Sequence, residues 1–136
     1  MKHQPAFSRY QYGNILHMLL GFTVLGFGNG LSAGEWNPEK TYALIIGVLE
    51  WEADLTAYPK ANRKDAALRN QLVERGTPAN NITMLLDSNA TLSRIREATE
   101  ETLNKVGEDS TLIIYYAGHG WQREDDFCFA NYDVRL

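Results

Sequence analysis

The sequence predicts an α/β fold built on a mainly parallel sheet, and three observations carry that prediction. Apolar runs at residues 42–48, 82–86 and 111–116 alternate with two stretches of helical periodicity. The runs are nearly continuous in apolar side chains, as strands covered on both faces are, and not alternating as in a half-solvated sheet. The connections are short, and a β-α-β-α-β order with short connections implies right-handed crossovers with helices on the faces of the sheet.

The first strand is Tyr42-Ala43-Leu44-Ile45-Ile46-Gly47-Val48, followed by a polar loop with Trp51 and Pro59 that runs to Lys60. Ala61, Leu68 and Leu72 then recur at helical spacing. Arg75, Gly76 and Pro78 supply a last-turn cation, a carboxyl cap and a breaker. Ile82-Thr83-Met84-Leu85-Leu86 reads as the second strand, and Asp87-Ser88-Asn89-Ala90-Thr91 as turn chemistry leading into a second helix. From Leu92, the positions Ile95, Ala98, Thr99, Leu103 and Val106 hold a 3.6-residue rhythm until Gly107 ends it. Asp109-Ser110 turns the chain into the third strand, Thr111 to Tyr116, which empties into Ala117-Gly118-His119-Gly120.

The first 34 residues differ from the rest. They contain Lys2 and Arg9 and no acid, so the remainder holds 11 basic and 17 acidic side chains and a net charge of −6. That sign gives no electrostatic basis for nucleic-acid binding. Ile15 to Gly28 is largely apolar and is followed by Ser32-Ala33-Gly34, the pattern of a secretory signal peptide cleaved after Ala33. The expected organisation is a signal peptide at 1–33, a linker at 34–40 and one domain at 41–136. The product is then exported, periplasmic or extracellular, without a stable membrane span, since the apolar stretch falls short of about 20 residues. An uncleaved amino-terminal anchor is the alternative. At 136 residues, 44% of them hydrophobic, the chain has material for a single core.

Cys128 is the only cysteine, so no intramolecular disulfide can form. His3 and His17 fall in the targeting segment, leaving His119 as the single histidine of the mature chain, too few for a histidine-rich metal site. A histidine handed from a buried strand to a glycine-flanked turn lies where parallel sheets present reactive groups. Glycine on each side permits unusual backbone angles and close approach of a ligand, and the Gly120 N–H is a candidate donor beside the imidazole. Without further context, a histidine that merely satisfies a turn would be the plainer reading.

The Ile-Ile-Gly-Val end of the first strand, Lys64-Asp65-Ala66 at the helix start and Tyr-Tyr-Ala-Gly-His-Gly at the third strand, in that order, carry a resemblance. Over residues 41–133 the chain resembles the caspase-like cysteine peptidases (peptidase C14), closest to the metacaspase and bacterial caspase-like branches. The resemblance implies a three-layer αβα sandwich, here incomplete at the carboxyl end, and a cysteine endopeptidase acting on peptide or protein substrates. His119 would be general base and acid, and the Gly120 N–H part of the oxyanion hole. Asp65 would line the pocket for a substrate Arg or Lys; alternatively it favours the positive end of its own helix.

The family's nucleophile is expected about 50 residues after the histidine, in an Asp-x-Cys-His-Ser-Gly-type segment, and residues 1–136 contain none. Cys128 follows His119 by nine residues and reads as a buried apolar side chain. The segment Phe127 to Asp133 resembles the family's short strand and acidic turn. The chain alone is therefore expected to be inactive, with a non-catalytic caspase-like interaction module as the alternative. No cofactor is expected. Glu124-Asp125-Asp126 is a weak calcium candidate, since regular calcium loops space their ligands. Asn81-Ile82-Thr83 and Asn89-Ala90-Thr91 are sequons, meaningful in a eukaryotic source. Ser88 and Ser93 lack a second histidine to activate them, and Trp36, Trp51 and Trp121 fall in expected loops, as walls of a peptide cleft or caps on the core.

Overall fold

The computed structural model describes residues 36–61, 63–123 and 125–135. The segment expected to be a signal peptide, residues 1–33, lies outside the described residues. The elements are β1 (Thr41–Gly47), α1 (Lys64–Glu74), β2 (Ile82–Leu86), α2 (Leu92–Leu103), β3 (Thr111–Ala117), β4 (Gly120–Arg123) and β5 (Asp126–Phe129). The first three strands form one parallel sheet in the order β2-β1-β3, and β4 and β5 form a separate antiparallel ribbon.

β1 lies at the centre and is buried along nearly its whole length, which explains its unbroken apolar sequence. Its odd-numbered side chains, Ala43 and Ile45, pack with Leu68 and Leu72 of α1 and with Ile82, Met84, Ile113 and Tyr115. The even-numbered side chains Leu44 and Ile46, with Val48 beyond the strand, pack with Ile95 and Ala98 of α2 and with Leu85, Trp51 and Ala130. Thus one helix covers each face. The strand order reverses direction between the two crossovers, and crossovers of one hand then place successive helices on opposite faces.

α1 ends as the Arg75-Gly76 sequence implies. The Gly76 N–H donates to Val73 O at 2.9 Å and the Thr77 N–H to Leu72 O at 3.0 Å, with Gly76 at φ +98°. That pair of bonds is a Schellman motif, which satisfies the last carbonyls of the helix. α2 opens on Thr91, whose Oγ1 accepts the Arg94 N–H. Asp133 reaches back to accept the Leu92 N–H at 2.8 Å, and this bond holds its carboxyl below the usual carboxylate range.

Several boundaries differ from the sequence expectation. α1 begins at Lys64, three residues after Ala61, with Arg63 outside the helix at φ −52° and ψ 124° and its side chain bonded to Gly47 O. α2 stops at Leu103, and Lys105 and Val106 continue as tight turns bonded to Thr102 and Leu103. β1 starts and ends one residue earlier than expected, at Thr41 and Gly47, and β3 starts as expected but runs one residue longer, to Ala117. Trp121 and Asp126, expected in loops, lie in β4 and β5.

Outside Gly76, the described glycines hold φ values open to any residue. Gly118 and Gly120 are there for space: a Cβ on Gly118 would meet the Tyr116 hydroxyl at 2.4 Å, and one on Gly120 the Phe127 ring at 2.6 Å. The expected need for unusual angles at these two positions is thereby corrected. Gly76→Ala should destabilise the domain by about 1–2 kcal/mol, the cost of a left-handed non-glycine residue. Gly107→Ala, where a Cβ would approach only Ser110 Oγ at 3.7 Å, should leave the urea midpoint unchanged.

Candidate functional site

The sheet order places a topological switch beside β1, and the segments leaving the carboxyl ends of β1 and β3 meet there, the usual position for a ligand crevice in an open α/β sheet. β3 delivers His119. The loop leaving β1, residues 48–63, delivers what surrounds it.

The backbone of His119 is fixed first. Its carbonyl accepts the Ala130 N–H at 2.9 Å and lies 2.8 Å from the Tyr116 hydroxyl, which also reaches Ala130 O at 2.9 Å. Burial pushes the Tyr116 phenol well above its ordinary range, so it stays protonated and one hydrogen is shared between two carbonyls. Trp51 Nε1 donates to the same Ala130 O at 3.1 Å. The imidazole is then bracketed by aromatic rings, with Trp51 and Tyr58 centroids each 4.5 Å from its own.

Both ring nitrogens are engaged. Nε2 lies 2.8 Å from Thr56 O and Nδ1 2.7 Å from the Tyr58 hydroxyl. A carbonyl oxygen can only accept, so Nε2 carries the hydrogen, and in the neutral ring Nδ1 accepts from Tyr58. Burial raises the Tyr58 phenol and keeps that donor protonated. The ring is therefore set up as one tautomer whose basic nitrogen is Nδ1, capped by a hydroxyl.

Gly120 opens β4 opposite Phe129. Since His119 O accepts from Ala130, the adjacent Gly120–Phe129 pair is the non-hydrogen-bonded type, and the Gly120 N–H points away from β5. It is oriented as a free donor would be.

Asp65 is 1% exposed and sits at the second residue of α1. Its carboxylate accepts from Arg63 Nε and Nη2 and from the Ala66 N–H. The same guanidinium donates to Asp87 Oδ2 at 2.6 Å and Gly47 O at 3.0 Å. Asp87 Oδ1 accepts the Leu49 N–H at 2.9 Å, and Lys60 Nζ bridges Asp87 at 3.5 Å and Glu50 at 2.7 Å. Hydrogen bonding to Asp65 keeps Arg63 charged at any accessible pH. Burial would push the Asp87 carboxyl up, but the Arg63 and Leu49 hydrogen bonds and the charges of Arg63 and Lys60 hold it below the usual range.

Asp65 and His119 thus belong to separate hydrogen-bonded groups at one edge of the sheet, and the Asp65 carboxylate, expected to meet a substrate cation, is paired with Arg63 of the same domain. Cys128 is half-buried, not buried, because it lies in a two-stranded ribbon opposite Trp121, and the nitrogens of His119 are bonded elsewhere. Trp51 packs in the core and against His119, whereas Trp36 walls a shallow groove on the α1 face with Leu68, Leu72 and Ile113. Glu124 lies outside the described residues, and among those described no group of three acids, histidines or cysteines converges on a metal position. No described helix is long and apolar enough to cross a membrane. Thr56, Tyr58, Arg63 and Asp87 were not legible as site residues, since their partners are distant in sequence or, for Thr56, a backbone atom.

No protein-family model, curated protein or solved structure matches the chain.

Two outcomes are expected. Tyr58→Phe uncaps Nδ1 and should speed carbethoxylation of His119 about fivefold, the factor equivalent to one neutral hydrogen bond of ~1 kcal/mol. The Asp87 carboxyl is depressed in the fold, so its stabilisation is complete above the unfolded value of about 4 and is lost as pH falls through the folded value. Asp87→Asn should be less stable than the parent at pH 7 and show a shallower loss of stability below about pH 4 in urea titrations.

Proposed function

We propose that this chain is the base-bearing part of a caspase-like cysteine endopeptidase, exported through residues 1–33. The observation that carries the proposal is the imidazole of His119, held in one tautomer by Thr56 O with Nδ1 as its basic nitrogen. The fold supports it as far as an α/β sheet with one helix per face, and the order of its sequence motifs supplies the rest.

In the proposed reaction, Nδ1 removes the proton of a cysteine thiol, and the thiolate attacks the scissile carbonyl carbon to form a C–S bond. The carbonyl oxygen becomes an oxyanion facing the Gly120 N–H, a donor of the kind that contributes about 3 kcal/mol to lowering such barriers. Collapse breaks the C–N bond, Nδ1–H protonates the leaving amine, and water then hydrolyses the thioester by the same base. Thr56 O stabilises the imidazolium throughout by accepting from Nε2. The thiol comes from a residue outside the 136, and it must displace the Tyr58 hydroxyl from Nδ1. Cleavage after Arg or Lys, the preference that the resemblance attaches to Asp65, requires the substrate cation to displace Arg63. The contacts of Asp65 otherwise support its role at the start of α1.

A non-catalytic caspase-like module is the second reading, favoured by the internal occupation of both His119 and Asp65 by side chains of the same domain.

The 136-residue chain alone should not hydrolyse Arg- or Lys-containing reporter peptides. Joined to the polypeptide encoded directly downstream, it should do so, and His119→Ala in that longer chain should reduce the rate about 10²- to 10⁴-fold while Cys128→Ser leaves it intact. Inactivity of the longer chain across a mixed peptide library would favour the module, and loss of activity on Cys128→Ser would make that residue the nucleophile.

A further inference from the structure

We infer that Asp87 and Arg63 act as positioning residues for His119, through the loop of residues 48–63 and without touching the ring. The inference takes His119 as the proton-handling group of the proposed reaction, but its geometry stands independently of any activity.

The loop is closed at its neck by one carboxylate. Asp87 Oδ1 holds its second residue through the Leu49 N–H, and Oδ2 holds its last through Arg63 Nη1. The remaining edge of the guanidinium is fixed on Gly47 O, the end of β1, and on Asp65, the start of α1. Lys60 adds a tie across the neck from Glu50 to Asp87. Asp87 reaches both ends at φ +47°, the one positive φ outside glycine among the described residues. Left-handed backbone at an aspartate is a local cost that persists where surrounding contacts demand it, and here it lets one side chain, at the end of β2, grip both ends of a loop attached to other elements.

What the neck carries is the environment of His119. Within the loop, the Tyr58 N–H returns to Leu49 O at 2.8 Å, coupling the neck to the segment that supplies Thr56 O and the Tyr58 hydroxyl. Trp51 and Glu52 anchor the same loop to Ala130 and Tyr132. The aromatic platform is therefore tied at one side, and the Thr56–Tyr58 side depends on the neck. Opening the neck frees the two groups that define the tautomer of the imidazole.

The test is proton NMR of the full chain, with the His119 ring resonances assigned by their loss in His119→Gln. In the parent, the Cε1–H and Cδ2–H signals should be displaced by the rings of Trp51 and Tyr58, whose centroids lie 4.5 Å from the imidazole. In Asp87→Ala they should move most of the way to their values in the urea-unfolded chain. Asp87→Asn, which keeps an acceptor for Leu49 N–H, should move them less. Leu72→Ala, a cavity on the opposite face of the sheet, should lower the unfolding midpoint and leave the signals in place. If Asp87→Ala does not fold, Arg63→Lys opens the neck from its other end, keeping the charge and losing the fork, and should give the same displacement. Parent-like His119 signals in a folded Asp87→Ala or in Arg63→Lys would overturn the inference, as would an equal displacement in Leu72→Ala. Failure of the peptide-hydrolysis assay would bear on the proposed reaction and leave this result standing.

Discussion

The guanidinium of Arg63 is the contact on which the rest of the domain's candidate site depends. It is 13% exposed and donates to groups from three separate elements: Gly47 O, Asp65 and Asp87. Removing one partner of this partly buried cluster leaves a charge without its partner and destabilises the fold. The cluster also dictates sequence around it. Gly47 has no room for a side chain because a Cβ there would lie 1.8 Å from Asp65 Oδ2. The glycine at the end of the first strand is thus a consequence of an ion pair made by residues further along the chain.

That arrangement separates two tasks at one sheet edge. The acids and Arg63 organise the beginnings and ends of elements, and the aromatic residues organise the imidazole. Trp51 serves both, with its indole in the core and its ring against His119. The histidine consequently meets few freely moving groups. Its main chain is held by Ala130 and Tyr116, and its side chain by Thr56 and Tyr58. A group prepared in this way loses little conformational freedom when a reaction or a ligand engages it.

The sheet was legible because local signals and burial agree there. Ile82 to Leu86 has the bounds that its apolar run gives, and Gly76 ends α1 where the Arg-Gly-x-Pro sequence says a helix should end. The helix starts were less so. Ala61 fits the spacing of Leu68 and Leu72, yet Arg63 stands outside the helix at φ −52° and ψ 124°, and α1 starts only at Lys64. His119 could be singled out from its strand and its flanking glycines. Tyr58, 61 residues earlier, could not, because an exposed loop tyrosine carries no periodicity that points to a partner. Asp87 read as turn chemistry, which it is, but nothing in Asp-Ser-Asn says that its two oxygens bind both ends of another loop.

The parallel pairing of β1 has a consequence in time. Thr41 pairs with Thr111 and Ala43 with Ile82, so the two flanks of the central strand come from points 70 and 39 residues downstream. Contacts of such separation form slowly, since the intervening chain must be closed before they stabilise anything. During synthesis the most buried of the described strands emerges before its two partners and waits longest for cover. Its two faces, so well buried at the end, are the surfaces on which a chaperone would act earliest.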